Sequence, residues 1–431
     1  MKRDSHIQFN NAQQIKEYQG LRLQEEIEYI YNNSPFYKRL FDNNGIEVSS
    51  IKNIEDLQKI PVTTKDMLQQ HNEDFIAVDK SKIIDYITTS GTSGEPVNFV
   101  LSDEDLDRLA YNESLSFTTA GCSKDDTIQL MTTIDKRFMA GLAYFLGARD
   151  LGCGIVRVGN GVPELQWDTI NRIHPNTCIV VPSFLIRIAD YAKKAGIDQS
   201  KCSIKKAICI GEPLRESNGE YNALGKKIVS AWPDIELFST YASTEMQSSF
   251  TECVHHCGCH TPVDLIIVEL LDKNDQPVKD GEIGEVTITT LGVKAMPLIR
   301  FKTGDMCIGN STPCKCGRNS LRLSSVIGRK GQMIKFKGTT LYPSALYDVL
   351  DNISDVENYI VEVYTGELGT DQLVVKIGSK RTDSAFEKEI KDIFRSKIRV
   401  APEILFEPID YITQKQFPAT KRKQLKFMDL R

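Results

Sequence analysis

Residues 88–96 read Thr-Thr-Ser-Gly-Thr-Ser-Gly-Glu-Pro and follow a strand-like run over residues 82–87. Glycine lets backbone N–H groups turn around an anion and the neighbouring hydroxyls add donors, so such a loop suits the phosphates of a nucleotide. It lacks the closing Gly-Lys-Ser/Thr of a Walker loop and the Gly-x-Gly-x-x-Gly spacing of a dinucleotide turn. A second chemistry is written in thiols and imidazoles: Cys253, His255, His256, Cys257, Cys259 and His260 fall within one short stretch, and Cys314 and Cys316 follow one block of strands later. Two such turns that meet in space supply the four soft nitrogen and sulfur donors of a tetrahedral zinc, and four protein ligands make that site closed and structural. The residues alone do not choose among the six donors of the first turn.

Composition bounds the classes. The chain has 431 residues, 41% of them hydrophobic, enough for a large domain plus a smaller one. A net charge of -5 with no broad basic tract argues against nucleic acid as the main partner. No apolar run follows the charged start Met1-Lys2-Arg3 and none is long enough to span a bilayer, so a cytoplasmic protein is expected. Eleven cysteines without a secretion signal fit reduced thiols, and Cys122, Cys153, Cys178, Cys202 and Cys209, outside any cluster, read as small core residues.

The elements that must position these groups follow from periodicity. The first seventy or so residues form an amphipathic helical cap, broken by Ser34-Pro35-Phe36-Tyr37. From Asp85 to about Leu298, apolar runs alternate with helical stretches, the pattern of a doubly wound parallel sheet. Beyond Leu265, short alternating strands predict an antiparallel or barrel-like appendage. The last hundred residues predict a small α+β domain with strands over 359–364 and 372–377 and a helix over 384–398. The expected fold is therefore α/β: a large N-terminal domain, residues 1–328, with doubly wound sheets and a β-rich part, and a small mobile C-terminal α+β domain, residues 329–431.

Four further segments stand in order behind the loop. Gly211-Glu212-Pro213 and Tyr241-Ala242-Ser243-Thr244-Glu245 each follow a strand, where open α/β sheets bind ligands. Thr303-Gly304-Asp305 places an acid after a tight turn, and Gly328-Arg329 comes next. With Ser34-Pro35-Phe36-Tyr37, Ile60-Pro61-Val62-Thr63-Thr64-Lys65, Pro313-Cys314-Lys315-Cys316-Gly317-Arg318 and Leu341-Tyr342-Pro343-Ser344, this order resembles the phenylacetate-CoA ligase branch of the adenylate-forming superfamily over nearly the whole chain.

That resemblance implies an AMP-forming acid-thiol ligase: a carboxylate, aryl in type, attacks ATP to give acyl-AMP, and coenzyme A then takes the acyl group. It implies that Ser90, Gly91, Thr92, Ser93 and Gly94 hold the ATP phosphates, that Gly211, Glu212 and Pro213 lie along the adenine, and that Tyr241 stacks on it. Thr244 would contact the α-phosphate, Glu245 would hold Mg²⁺, and Asp305 and Arg329 would meet the ribose. Lys423 occupies the slot of the adenylation lysine, although on charge alone Lys421 and Lys426 are equally placed. Arg422 stands where the family usually has glycine, Gly331 where its domain hinge usually has a polar residue, Ala242 where glycine is commoner, and Phe301 where tyrosine is. The same resemblance selects Cys253, His260, Cys314 and Cys316 as the zinc ligands, with Cys257 and Cys259 in reserve, and adds a homodimer as an expectation. Two other readings stay open: delivery of the acyl group to a carrier protein, and a zinc-stapled nucleotide binder without ligase activity.

Overall fold

The computed structural model describes residues 3–89, 97–336, 339–366, 371–418 and 424–431. They form two units, Met1–Thr303 with Cys307–Ser325, and Gly304–Met306 with Val326–Arg431. In the first unit Asn11 closes a capping box with Gln14 and starts α1, Ala12–Asn33, which buries Ile15, Leu23, Ile27 and Ile30 along one face. The helix stops at Ser34 because the next residue is proline, which instead opens α2, Pro35–Asn43. Helix α3, Lys65–Gln70, is capped by the Thr64 hydroxyl. Strands β1, Ile83–Thr88, and β2, Asn98–Ser102, pair antiparallel as a separate ribbon, so the hydroxyl-rich loop joins two antiparallel strands rather than a parallel strand and its helix.

Alternation follows. Ser102 caps α4, Asp103–Thr119, and then come β3 Thr127–Leu130, α5 Met139–Leu151, β4 Gly154–Arg157, α6 Pro163–Ile173, β5 Thr177–Val180, α7 Pro182–Ala195, β6 Lys206–Ile210, α8 Ala223–Ala231 and β7 Glu236–Ser243. These strands run parallel in the order β4-β3-β5-β6-β7. The buried Cys178-Ile179-Val180 run shows why β5 reads as continuous rather than alternating apolar sequence. Cys178, Cys202 and Cys209 pack with the stacked Trp167 and Trp232 in one core cluster, as expected of isolated apolar thiols.

The β-rich part is not a separate body. It comprises β8 Ser248–Glu252, β9 Cys259–His260, β10 Ile266–Leu271, β11 Ile283–Thr290, β12 Phe301–Asn310 and β13 Arg322–Leu323, and it continues the same sheet through β8, β9, β13, β12, β11 and β10. The joint is made by the two-residue strands β9 and β13, whose partners include Arg322↔His260 and Leu323↔Cys259. The expected tight turn at Thr303-Gly304-Asp305 is also corrected: all three residues lie inside β12. Gly304 adopts φ +79 there, a left-handed kink that glycine takes without strain and that looks like a turn signal in sequence.

The second unit holds β14 Gly328–Arg329, β15 Ile334–Phe336, β16 Thr339–Leu341, α9 Pro343–Asp351, β17 Asn358–Thr365, β18 Asp371–Gly378, α10 Ser384–Ile398, β19 Glu403–Glu407, α11 Ile409–Gln416 and β20 Phe427–Asp429. Its sheet order is β19-β18-β17-β20, with Phe386, Ile390 and Phe394 of α10 buried in its core. Val326–Arg431 is joined in this unit by Gly304–Met306, since β14 pairs with Asp305 and Met306. Gly328 is required by packing: a Cβ there would come within 2.3 Å of the Tyr342 ring. Among the described residues no helix is long and apolar enough to cross a membrane.

One buried acid yields a stability prediction. Glu113 of α4 accepts from the Ser249 hydroxyl of β8 at 2.6 Å and from Asn112 at 3.1 Å, and burial pushes its carboxyl up to about 7. A raised acid favours folding below its unfolded pKa, and that contribution is lost as pH rises through the folded value. Stability should therefore fall by on the order of 3 kcal/mol between pH 4.5 and 7 relative to Glu113→Gln. Parallel denaturant melts of the two proteins across that range check this; curves that run parallel with pH would contradict it.

Candidate functional site

The neck of the hydroxyl-rich loop is well defined. The Thr89 N–H donates to the Val97 carbonyl, the Val97 N–H donates to the Thr89 hydroxyl, both at 3.0 Å, and the Thr88 N–H donates to the Arg137 carbonyl. Ser90, Gly91, Thr92, Ser93 and Gly94 lie outside the described residues, and so does Lys423.

At the end of β6, Gly211 turns the chain at φ +78, so that Glu212 faces the start of α7. The Glu212 carboxylate accepts from the Ser183 N–H at 2.9 Å and from the Ser183 hydroxyl at 3.0 Å. It thus caps from outside a helix that begins with Pro182 and whose own N-cap, Val181, offers no side-chain acceptor. The Pro213 carbonyl accepts from the Asn222 side chain at 2.9 Å, and Asn222 also caps α8. Both ends of the Gly211–Pro213 turn are held by helix starts, and Ser183 and Asn222 are positioning residues that the sequence reading missed. Each followed a recognisable signal: a serine just after a helix-opening proline, and an asparagine before an apolar helical run.

The second motif is a strand end plus a hairpin. Strand β7 extends through Ser243, so Tyr241, Ala242 and Ser243 pair with Phe250, Ser249 and Ser248 of β8, and Thr244 and Glu245 open the turn that Met246 and Gln247 complete. Tyr241 meets the Phe250 ring edge to face, which fixes its plane. Thr244 and Glu245 are half-buried, placing a hydroxyl and a carboxylate side by side at the tip.

In the second unit Asp305 and Arg329 stand opposite each other across β12 and β14, with Arg329 Nε 3.0 Å from the buried Asp305 carboxylate. Gly331 lies in a 3₁₀ turn where an added Cβ would meet nothing within 4 Å, so packing does not demand glycine there. The terminal cations are not equivalent. Lys426 Nζ binds Asp351 at 3.2 Å and the Tyr359 hydroxyl at 3.0 Å, and lies over the Tyr347 and Tyr359 rings. These contacts tie Lys426 to α9 and β17 of its own unit.

The thiol-rich turns do meet. The ligand atoms of Cys253, His260, Cys314 and Cys316 all lie within 4.8 Å of one another, and the first three are buried. Cys253 Sγ is 3.7 Å from Cys314 Sγ, and Cys316 Sγ is 3.5 Å from His260 Nε2. His260 Nδ1 lies 2.8 Å from the Ser320 hydroxyl, which orients the ring and leaves Nε2 facing the thiols. Burial, helped by Arg318 and Arg322, pushes the imidazole down to about 3 and keeps it neutral, the form that binds metal. Cys257 is exposed, with Sγ 3.4 Å from Cys314 Sγ, while Cys259 is buried and donates to the Ser239 carbonyl instead. Ser320 left no signal in sequence, since it meets His260 only through the pairing of β9 with β13. Three thiols and a neutral imidazole at this spacing fit a tetrahedral zinc.

A family model described as AMP-binding enzyme matches residues 23–295. The chain belongs to the AMP-binding enzyme family. Among its relatives, the phenylacetate-coenzyme A ligase of Thermus thermophilus is 28% identical, with 85% of this chain and 81% of that protein covered. The phenylacetate-coenzyme A ligase of Escherichia coli is 25% identical, with 99% and 97% covered. A crystal structure of 2-hydroxyisobutyryl-CoA ligase in the postadenylation state has the same fold, with a TM-score of 0.84 at 21% identity over 99% of this chain and 92% of that one. The motif-bearing Gly211–Pro213 and Tyr241–Glu245 segments fall inside the matched AMP-binding region.

Proposed function

We propose that this AMP-binding enzyme is an AMP-forming acid-thiol ligase: it activates a carboxylic acid with ATP and passes the acyl group to coenzyme A. The observation that carries this is the near-full-length likeness to phenylacetate-coenzyme A ligases, which spans both units. An aryl acid of the phenylacetate type is the proposed substrate. Attack of a carboxylate on the α-phosphate brings two anions together, so the site must offer cations and N–H donors where charge builds. Ser90 to Gly94 would supply those donors to the phosphates, Thr244 a hydroxyl to the α-phosphate, and Lys423 the remaining cation. Glu245 would hold Mg²⁺, which neutralises phosphate charge when bound. Pro213 and Tyr241 would flank the adenine, with Glu212 acting from behind by fixing the turn on Ser183. Asp305 would accept from the ribose hydroxyls, and Arg329 would orient that carboxylate.

The four-donor cluster would hold zinc, with no open position and no part in the chemistry. Release of pyrophosphate over a panel of aryl and fatty acids tests the reading: release should depend on added acid and favour an aryl acid, and its absence across the panel would refute it. Consumption of coenzyme A thiol, rather than acylation of a carrier protein, is the expected second step.

A further inference from the structure

One buried ion pair joins the turn after β6 to the thiol-rich turn. Arg215 Nε lies 2.9 Å from Glu252 Oε1, with side chains 8% and 3% exposed. The other Glu252 oxygen accepts from the Ser239 N–H at 3.0 Å and lies 3.4 Å from His256 Nδ1, whose Nε2 is 3.2 Å from Glu236. The residue after Glu252 is Cys253, a member of the four-donor cluster.

On its other side the guanidinium donates to the Gly219 carbonyl at 3.1 Å and stacks 4.2 Å above the Tyr221 ring. Arg215 and Tyr221 also form a backbone bridge, and the next residue, Asn222, grips the Pro213 carbonyl. Contacts therefore run without a gap from the Gly211–Pro213 turn to Cys253. A buried charge cannot be left without its partner cheaply, so a shift of Glu252 must be followed by Arg215.

We propose that Arg215 is a positioning residue that couples the two sites, so that filling the Cys253, His260, Cys314 and Cys316 cluster tightens nucleotide binding at the Gly211–Pro213 turn. The proposal rests on the zinc and nucleotide readings given above. Coupling of this kind is reciprocal: ATP must tighten zinc by the factor by which zinc tightens ATP.

Zinc affinity is measured on the full chain by competition with a chromophoric chelator, with and without saturating ATP. ATP affinity is measured by calorimetry on zinc-loaded and chelator-treated protein. Wild type, Arg215→Lys and Arg215→Met are compared after circular dichroism shows each to be folded. ATP should tighten zinc about five- to twentyfold in wild type, zinc should tighten ATP equally, and Arg215→Met should bring the factor below about twofold while each ligand still binds alone. Arg215→Lys should keep part of the effect. Equal factors in wild type and Arg215→Met overturn the coupling and leave both sites standing. A chain that binds only one of the two ligands overturns it together with the reading of the missing site. Should chelated protein unfold, the zinc-loaded forms decide: Arg215→Met must bind ATP more weakly than wild type by the coupling factor, and equal affinity overturns the proposal.

Discussion

Lys423→Ala is expected to lower acid-dependent pyrophosphate release by about 10²–10³-fold, the usual loss when one donor to a transition-state oxyanion is removed. The two other lysines of the same basic stretch should behave differently. Lys426 is held by Asp351, Tyr359 and the two tyrosine rings, so Lys426→Ala should cost stability and change the rate by less than about threefold. Lys421→Ala should also leave the rate nearly unchanged. Steady-state pyrophosphate assays on the three variants check this ordering, and a Lys423→Ala protein that adenylates normally would show the lysine assignment to be wrong. The KM for ATP should move less than kcat, because a cation that acts on developing charge contributes little to ground-state binding.

Wild type should carry about one zinc per chain, and Cys314→Ser should lose it. Its thiol is buried and lies near both Cys253 and Cys257, and burial pushes the neighbouring Cys253 thiol up, away from the thiolate form that a metal needs. A bound divalent cation reverses that balance, so the folded cluster and the metal stabilise each other. The melting midpoint should fall by on the order of 10 °C, with chelator treatment of wild type giving a similar drop. Cys257→Ser is the discriminating control. Its sulfur is exposed and outside the four-donor set, so zinc content and melting should stay close to wild type. Zinc retained in Cys253→Ser but lost in Cys257→Ser would reassign the ligand.

Much of this was readable in the chain because the strongest signals are local. The Ser34-Pro35 break and the helix over 384–398 each follow from a few adjacent residues, and each stands in the structure. The four zinc candidates that the family resemblance selected are the four that the fold brings together. What escaped is long-range. Strands β9 and β13 are two residues each, too short to carry a period, so the continuity of the sheet through them could not be seen. The Ser183–Glu212, Arg215–Glu252 and His260–Ser320 contacts join residues far apart in sequence, and none alters local propensity. Gly304 misled for the opposite reason, since a left-handed glycine inside a strand carries the same local signature as one in a turn.

The central claim is tested most directly by trapping the intermediate. The full chain is mixed with ATP, Mg²⁺ and phenylacetate without coenzyme A, and the quenched mixture is analysed by mass spectrometry for the mixed anhydride of the acid with AMP. The acyl-adenylate should accumulate to about one equivalent per chain and disappear when coenzyme A is added, with acyl-CoA and AMP in its place. ATP that stays intact with every acid offered, or is cleaved to ADP and phosphate, would contradict the account.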